Sequence, residues 1–181
     1  MAVLRTYEFP LNTSRAYLDA HGRSSVESVT FGRAPSVGVT SATSASPQLA
    51  RLLAWWFHGS AGMKFNFNAI QLNGPGFEAR RHRDSNNIGP TVARALGEYT
   101  GGLLLWWPDD SGLAPLSSLS AEDATVEDMS AWVRFRGTAA HEVSPFTGER
   151  FSVLFFSMRD TPQDEEGRAI LESLGFSCRD Y

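Results

Sequence analysis

Apolar positions along the chain follow two periods. Leu49, Leu52, Leu53 and Trp56 fall at i, i+3, i+4 and i+7 and make one stripe, which predicts a helix packed on a core. Ser46 suits its N-cap, Pro47 its first turn and Gly59 its C′ position. From residue 64 the period drops to two. Phe65, Phe67, Ala69, Gln71 and Asn73 then share one face of a strand, and Asn66, Asn68, Ile70 and Leu72 the other. Asn73-Gly74-Pro75-Gly76 is a turn. Strands are expected again at 78–84, 91–96, 101–107, 131–136, 139–144 and 150–158, with Gly101-Gly102 marking a bend. Short strands at this spacing predict a mainly β sandwich or barrel flanked by helices.

Other segments read as connections. Residues 36–46 are small and polar and predict a loop. Residues 108–130 carry Asp109, Asp110, Glu122, Asp123, Glu127 and Asp128 and predict a solvated insertion. Thr161, Pro162 and the acids Asp164 to Glu166 predict a last helix. One domain is expected over 1–181: helical support over 1–62, a barrel core over 63–158 and a C-terminal helix over 159–181.

Composition narrows the class. A single cysteine, Cys178, excludes an internal disulfide, and four histidines exclude a Cys-rich zinc module. No apolar run nears the ~20 residues that span a bilayer. A soluble, intracellular protein of the cytoplasm or nucleus, without membrane attachment, is the expectation. The net charge of −4 argues against strong nonspecific binding to nucleic acid. It is uneven, however: residues 1–107 hold 10 Lys+Arg against 6 Asp+Glu, including the close group Arg80, Arg81, Arg83 and Arg94.

Chemistry enters with His82-Arg83-Asp84. On a strand, i and i+2 face the same side, so an imidazole and a carboxylate are presented together. His141, on a later expected strand, is the third candidate. Two histidines and one carboxylate on one side of an iron form the facial triad of non-haem Fe(II) oxygenases, with positions left for a bidentate co-substrate and O2. Arg150 and Ser152 follow His141 at a distance that a hairpin would bring alongside it. A guanidinium matches a carboxylate bidentately and Ser152 adds a donor, so the far carboxylate of 2-oxoglutarate is the natural guest.

The ordered set of motifs resembles the 2-oxoglutarate/Fe(II)-dependent dioxygenase superfamily. It comprises His82-x-Asp84, Gly101-Gly102-Leu103, Phe135-x-Gly137 before His141, and Arg150-x-Ser152, over roughly residues 64–158. The resemblance implies a double-stranded β-helix (a jelly-roll, cupin-like barrel), with iron on His82, Asp84 and His141 as catalytic metal ligands. It also implies 2-oxoglutarate and O2 as co-substrates, the former held by Arg150 and Ser152. Related enzymes place a polar pair on the strand before the metal motif, and Gln71 and Asn73 sit at about that offset. His82-x-Asp84-x-x-Asn87 with Leu96-Gly-x-Tyr-x-Gly-Gly is most similar to the TET/JBP group, which oxidises methylated pyrimidines in nucleic acid. That implies a methylated base in DNA or RNA as substrate, with Arg81, Asn86, Asn87 and Arg94 as candidate contacts. No separate DNA-reading domain and no Cys-rich module accompany the motifs.

Rival readings are a hydroxylase of a peptide side chain or small metabolite, and a β-barrel binding module without chemistry. A cupin would draw on more histidines. A kinase loop, which His82-Arg83-Asp84 also spells, needs Asn where Gly89 stands. His21 and His58 fit no pattern, and Glu142 should face away from the metal.

Overall fold

The structure is a computed structural model that describes residues 1–35, 37–158 and 165–177. In chain order its strands are β1 (Leu11–Asn12), β2 (Val26–Ala34), β3 (Gly38–Val39), β4 (Ala69–Asn73), β5 (Asn87–Gly101), β6 (Leu104–Trp106), β7 (Thr125–Glu127), β8 (Val133–Phe135), β9 (His141–Val143) and β10 (Phe146–Met158). Its α-helices are α1 (Ala2–Thr6), α2 (Ser41–Ala45), α3 (Pro47–Ser60) and α4 (Glu165–Ser173). None is long and apolar enough to cross a membrane.

Two antiparallel sheets carry the fold. The large one runs β1-β2-β4-β10-β5-β8, with β3 attached to β2, and the small one runs β7-β6-β9. An isolated bridge between His82 and His141 extends the small sheet beyond β9. From β4 onward the chain therefore passes back and forth between the sheets, with the His82 bridge as its second strand and the consecutive β6 and β7 both in the small sheet. This gives the orders 1-8-3-6 and 2-7-4-5, the winding of a jelly roll or double-stranded β-helix. The expected fold class is met, except that the sheets stay open at their edges and do not close into a barrel.

The large sheet has two buried faces. On the outer one, Leu49, Ala50, Leu53, Ala54 and Phe57 of α3 pack on Phe31, Ile70, Leu72, Val92, Phe151, Val153 and Phe155. The helical stripe is thus rotated from its predicted line, and Leu52 is 46% exposed. On the inner face Ala93 and Ala95 meet Leu104, Met129, Val133 and Phe135.

Several local expectations are corrected. Gly59 does not end α3, which continues to Ser60. Residues 36–46 hold β3 and α2 rather than a loop, because Thr40 caps α2 by accepting from the Thr43 N–H. Residues 1–62 are not all helical support, since β2 pairs with β4 over five positions. Residues 64–68 stay outside the ladder, so the alternation slips there. Phe67 packs in the outer core, while Gln71 faces the interior. Residues 78–84 form two isolated bridges rather than a strand. The segment 108–130 includes β7 and is docked on the body through Asp110, whose side chain is fully buried. In α4, Glu165 and Glu166 occupy the first turn as expected. Thr161, Pro162, Asp164 and Cys178 lie outside the described residues.

Candidate metal and co-substrate site

His82, Asp84 and His141 converge although no continuous strand carries the first two. The His82–His141 bridge sets the histidines opposite each other, with N–H to C=O distances of 3.0 and 2.9 Å. Asp84 is fixed by its own N–H, which donates to the Gly137 carbonyl at 2.9 Å. Their ligand atoms all lie within 4.8 Å of one another. Nε2 of His82 and of His141 stand 3.6 and 3.7 Å from the two Asp84 oxygens. A side chain at position 137 would meet Thr91 Oγ1 at 2.6 Å, Asn87 Nδ2 at 2.9 Å and Asp84 Oδ2 at 3.4 Å, so glycine there keeps the carboxylate's place open.

The tautomers follow from the partners. Nδ1 of His82 lies 2.7 Å from the Arg80 carbonyl and Nδ1 of His141 2.9 Å from the Ala139 carbonyl. A carbonyl only accepts, so each Nδ1 bears a proton and each Nε2 is the ring nitrogen left to face Asp84. Burial, and then the facing His141, push the His82 imidazolium down to about pH 4, so His82 is neutral at physiological pH. Asn87 Nδ2 donates to Asp84 Oδ2 at 3.2 Å and orients the carboxylate. Two imidazole Nε2 atoms and an oriented carboxylate are the donor set that fits a single Fe(II).

A second set of polar groups lines the same cavity of ≈ 180 Å³ from the large sheet. Gln71 and Asn73 of β4 and Ser152 of β10 all face it, and each is at least 94% buried. They form a chain in which Thr30 donates to Gln71 at 2.6 Å, Gln71 to Asn73 at 3.1 Å and Asn73 to Ser152 at 2.9 Å. Register explains the grouping, because Ser152 pairs with Asn73 and Leu154 with Gln71.

Arg150 continues that face one pleat further on, 1% exposed. Its Nη2 donates to the Gly102 carbonyl at 3.1 Å and touches Met129 Sδ at 3.3 Å, while its Nε has no acceptor. A side chain at Gly102 would meet that Nε at 2.6 Å, and Gly102 also sits at φ 66°, so glycine makes the berth. Burial pushes the guanidinium pKa down, a cost that a carboxylate partner would offset. Arg150 does not line the cavity directly; Met129 does, and stands between them. Nor does the expected hairpin exist: β9 belongs to the small sheet, and β10 runs between β4 and β5.

The remaining candidates divide. Asn86 and Asn87 line the cavity. Arg81 does not. It grips Glu142 at 3.1 and 3.2 Å, donates to the Leu116 and Leu119 carbonyls and lies 4.0 Å over Trp107. Glu142 accordingly points away from the metal ligands. Arg94 lies on the outer face of β5 near Trp56 and Trp132, donating to the Ser130 carbonyl, because its neighbours Ala93 and Ala95 take the inner face. Arg80 donates to the Asp19 carbonyl.

Two residues without a sequence signal belong to the site. Asp110 accepts from Nε and Nη2 of Arg83 at 2.7 Å each and from the Ala140 N–H at 2.7 Å. It thereby ties residue 83, between two ligands, to residue 140, beside the third. Hydrogen bonds from Arg83 hold its carboxyl well below the usual range, against its burial. Arg15, ahead of the one-turn helix Ala16–Leu18, lines the cavity with a buried Nε that has no acceptor.

No protein-family model matches the chain, and no curated protein matches it. Solved structures do resemble it. NgTET1 in complex with 5mC DNA is 14% identical at a TM-score of 0.47, over 72% of this chain and 60% of that one. A prolyl-4-hydroxylase from Pseudomonas putida is 21% identical at 0.40, over 83% and 78%. The non-heme alpha ketoglutarate dependent carbocyclase SnoK from nogalamycin biosynthesis is 12% identical at 0.37, over 80% and 70%. Scores of this size say nothing about chemistry, which the side chains themselves must supply.

Proposed function

We propose that the chain is an Fe(II)- and 2-oxoglutarate-dependent dioxygenase that hydroxylates a C–H bond. The observation that carries this reading is the convergence of His82, Asp84 and His141, with both Nε2 atoms turned toward one carboxylate. The iron, with 2-oxoglutarate and O2, would supply the oxidation. The chain's residues do the rest. Arg80 and Ala139 carbonyls hold the imidazole protons on Nδ1. Asn87 aims Asp84, and the Arg83–Asp110–Ala140 clamp keeps the ligand-bearing segments together. Arg150 and Ser152 receive the far carboxylate of the co-substrate, and Gln71 and Asn73 line its path. For Arg150 to be reached, the flexible thioether of Met129 swings off Nη2. The dry inner core around Leu104, Met129 and Phe135 excludes water.

The substrate reading follows from what the arginines do. A methylated base in nucleic acid, the reading that the resemblance implies, would bring phosphates to the close basic group Arg80, Arg81, Arg83 and Arg94. Each of the four has an acceptor inside the protein. A small metabolite or a protruding side chain therefore suits the cavity better than a polynucleotide. A binding module without chemistry would have no use for two tautomer-fixed imidazoles facing a carboxylate.

The test is succinate release from 2-oxoglutarate with Fe(II) and ascorbate. Wild type should release it and Asp84→Ala should not. Equal release by both would remove the triad from the reaction.

A further inference from the structure

We infer that Arg15 is the specificity-determining residue of the cavity and that the primary substrate carries an anionic group, a carboxylate or phosphate, which Arg15 binds beside the metal ligands. The inference rests on the dioxygenase reading above and adds the class of substrate.

Three observations carry it. Arg15 lines the cavity together with His82, Asp84 and Asn86. Its Nε is buried and has no acceptor, and no hydrogen bond or ion pair of its guanidinium is formed among the described residues. The nearest aromatic face, Phe77, lies 5.9 Å from the guanidinium carbon, so even that contact is loose. A guanidinium whose Nε is closed off from water and left without an acceptor is costly, and a ligand that bonds it removes that cost. By contrast Arg83, on the same wall, has its charge met by Asp110, which takes Nε and Nη2 at 2.7 Å.

Charge balance assigns the guest. The metal's two positive charges are met by Asp84 and by the co-substrate carboxylate that chelates it. The far carboxylate meets Arg150. Glu78, the other acid nearby, does not line the cavity and lies against His21 at 3.7 Å. Among the described residues Arg15 is then the cavity guanidinium without an anionic partner. Its charge couples to Asp84 and His82, which puts it at the metal end, away from the Arg150 berth. An anion there would hold the substrate beside the metal, with Asn86 at hand for a further hydrogen bond and the exposed ring of Tyr17 at the rim. One anion-binding guanidinium suits a small acid rather than a phosphate chain.

The probes are acetate and inorganic phosphate. Each is titrated into metal-free protein and into protein loaded with Zn(II) and 2-oxoglutarate, following the Arg Nε–Hε resonances and the melting temperature. Wild type should bind at least one of the two anions in both forms, with the Arg15 resonance moving and the melting temperature rising. The preferred anion tells a carboxylate from a phosphate substrate. Arg15→Met should weaken anion binding at least tenfold and leave 2-oxoglutarate affinity within about threefold, and Arg15→Lys should recover part of the loss. Arg150→Met should do the reverse. The inference fails if neither anion moves the Arg15 resonance, or if Arg15→Met binds anions like wild type. It also fails if Arg15→Met loses 2-oxoglutarate as Arg150→Met does, which would make Arg15 a co-substrate anchor. Absence of Zn(II) or 2-oxoglutarate binding in wild type would instead overturn the dioxygenase reading, while the metal-free titration still decides Arg15.

Discussion

Strand β10 has two faces, both buried, that serve different ends. Phe151, Val153 and Phe155 point outward, at most 1% exposed, into aromatic packing in which Phe57 stands 4.6 Å from Phe155, centroid to centroid. Arg150, Ser152 and Leu154 point inward toward Asn73, Gln71 and the cavity. Burial alone does not separate them; satisfaction does. The outer side chains Phe151, Val153 and Phe155 carry no polar atom to bond, whereas the inner face keeps a guanidinium nitrogen without an acceptor and a hydroxyl on the cavity wall. A chain that spends its apolar residues on one face can keep the opposite face for a polar guest.

Substitutions on the two faces should therefore fail in different currencies. Phe155→Ala opens a hole among three aromatic rings and should cost about 3–5 kcal/mol of unfolding free energy by chemical denaturation. The fraction that remains folded should bind 2-oxoglutarate within about threefold of wild type. Arg150→Met removes the charge that the far carboxylate needs, a loss of about 2–5 kcal/mol in binding, so the 2-oxoglutarate Kd should rise by roughly 30-fold or more. Its unfolding free energy should stay level or rise, because an incompletely bonded buried charge is gone. A large stability loss in Arg150→Met with unchanged Kd would erase the distinction between the faces.

The clamp between the segments bearing His82 and His141 comes next in size. Asp110→Asn keeps the shape and loses the charge, and should cost about 1.5–3 kcal/mol at pH 7. Because the Asp110 carboxyl is depressed in the folded protein, its contribution is complete above about pH 5 and is lost as pH falls below the ordinary carboxylate range. Wild type and variant should therefore converge in stability at acidic pH; a gap that persists unchanged would detach Asp110 from that role. Ser152→Ala is the mildest change. It should alter stability by less than about 1 kcal/mol and weaken 2-oxoglutarate binding by about tenfold or less in the same titration.

What could be read from sequence follows from how local each signal is. The triad was legible because residue types and order declare it, even though the strand expected under His82 and Asp84 is only a bridge. Gln71 and Asn73 were legible because period two survives over Ala69–Asn73. It failed over 64–68, where Asn68 leaves the ladder to bond Met158 at both its amide atoms. Arg81 and Arg94 looked available because a sequence lists charges without their partners. Asp110 looked solvated for the same reason, since its neighbours Asp109 and Ser111 are polar while Arg83 and Ala140 lie far along the chain. Arg15 sits in a stretch with no period at all, and only the cavity reveals it.

The central claim is that three side chains hold one ferrous ion, and anaerobic Fe(II) binding by equilibrium dialysis with 2-oxoglutarate present tests it most directly. The account predicts one tightly bound iron per chain in wild type, and loss of that binding by at least a hundredfold in His141→Ala while the variant's circular dichroism stays native. Iron held with equal stoichiometry and affinity by wild type and His141→Ala would contradict it.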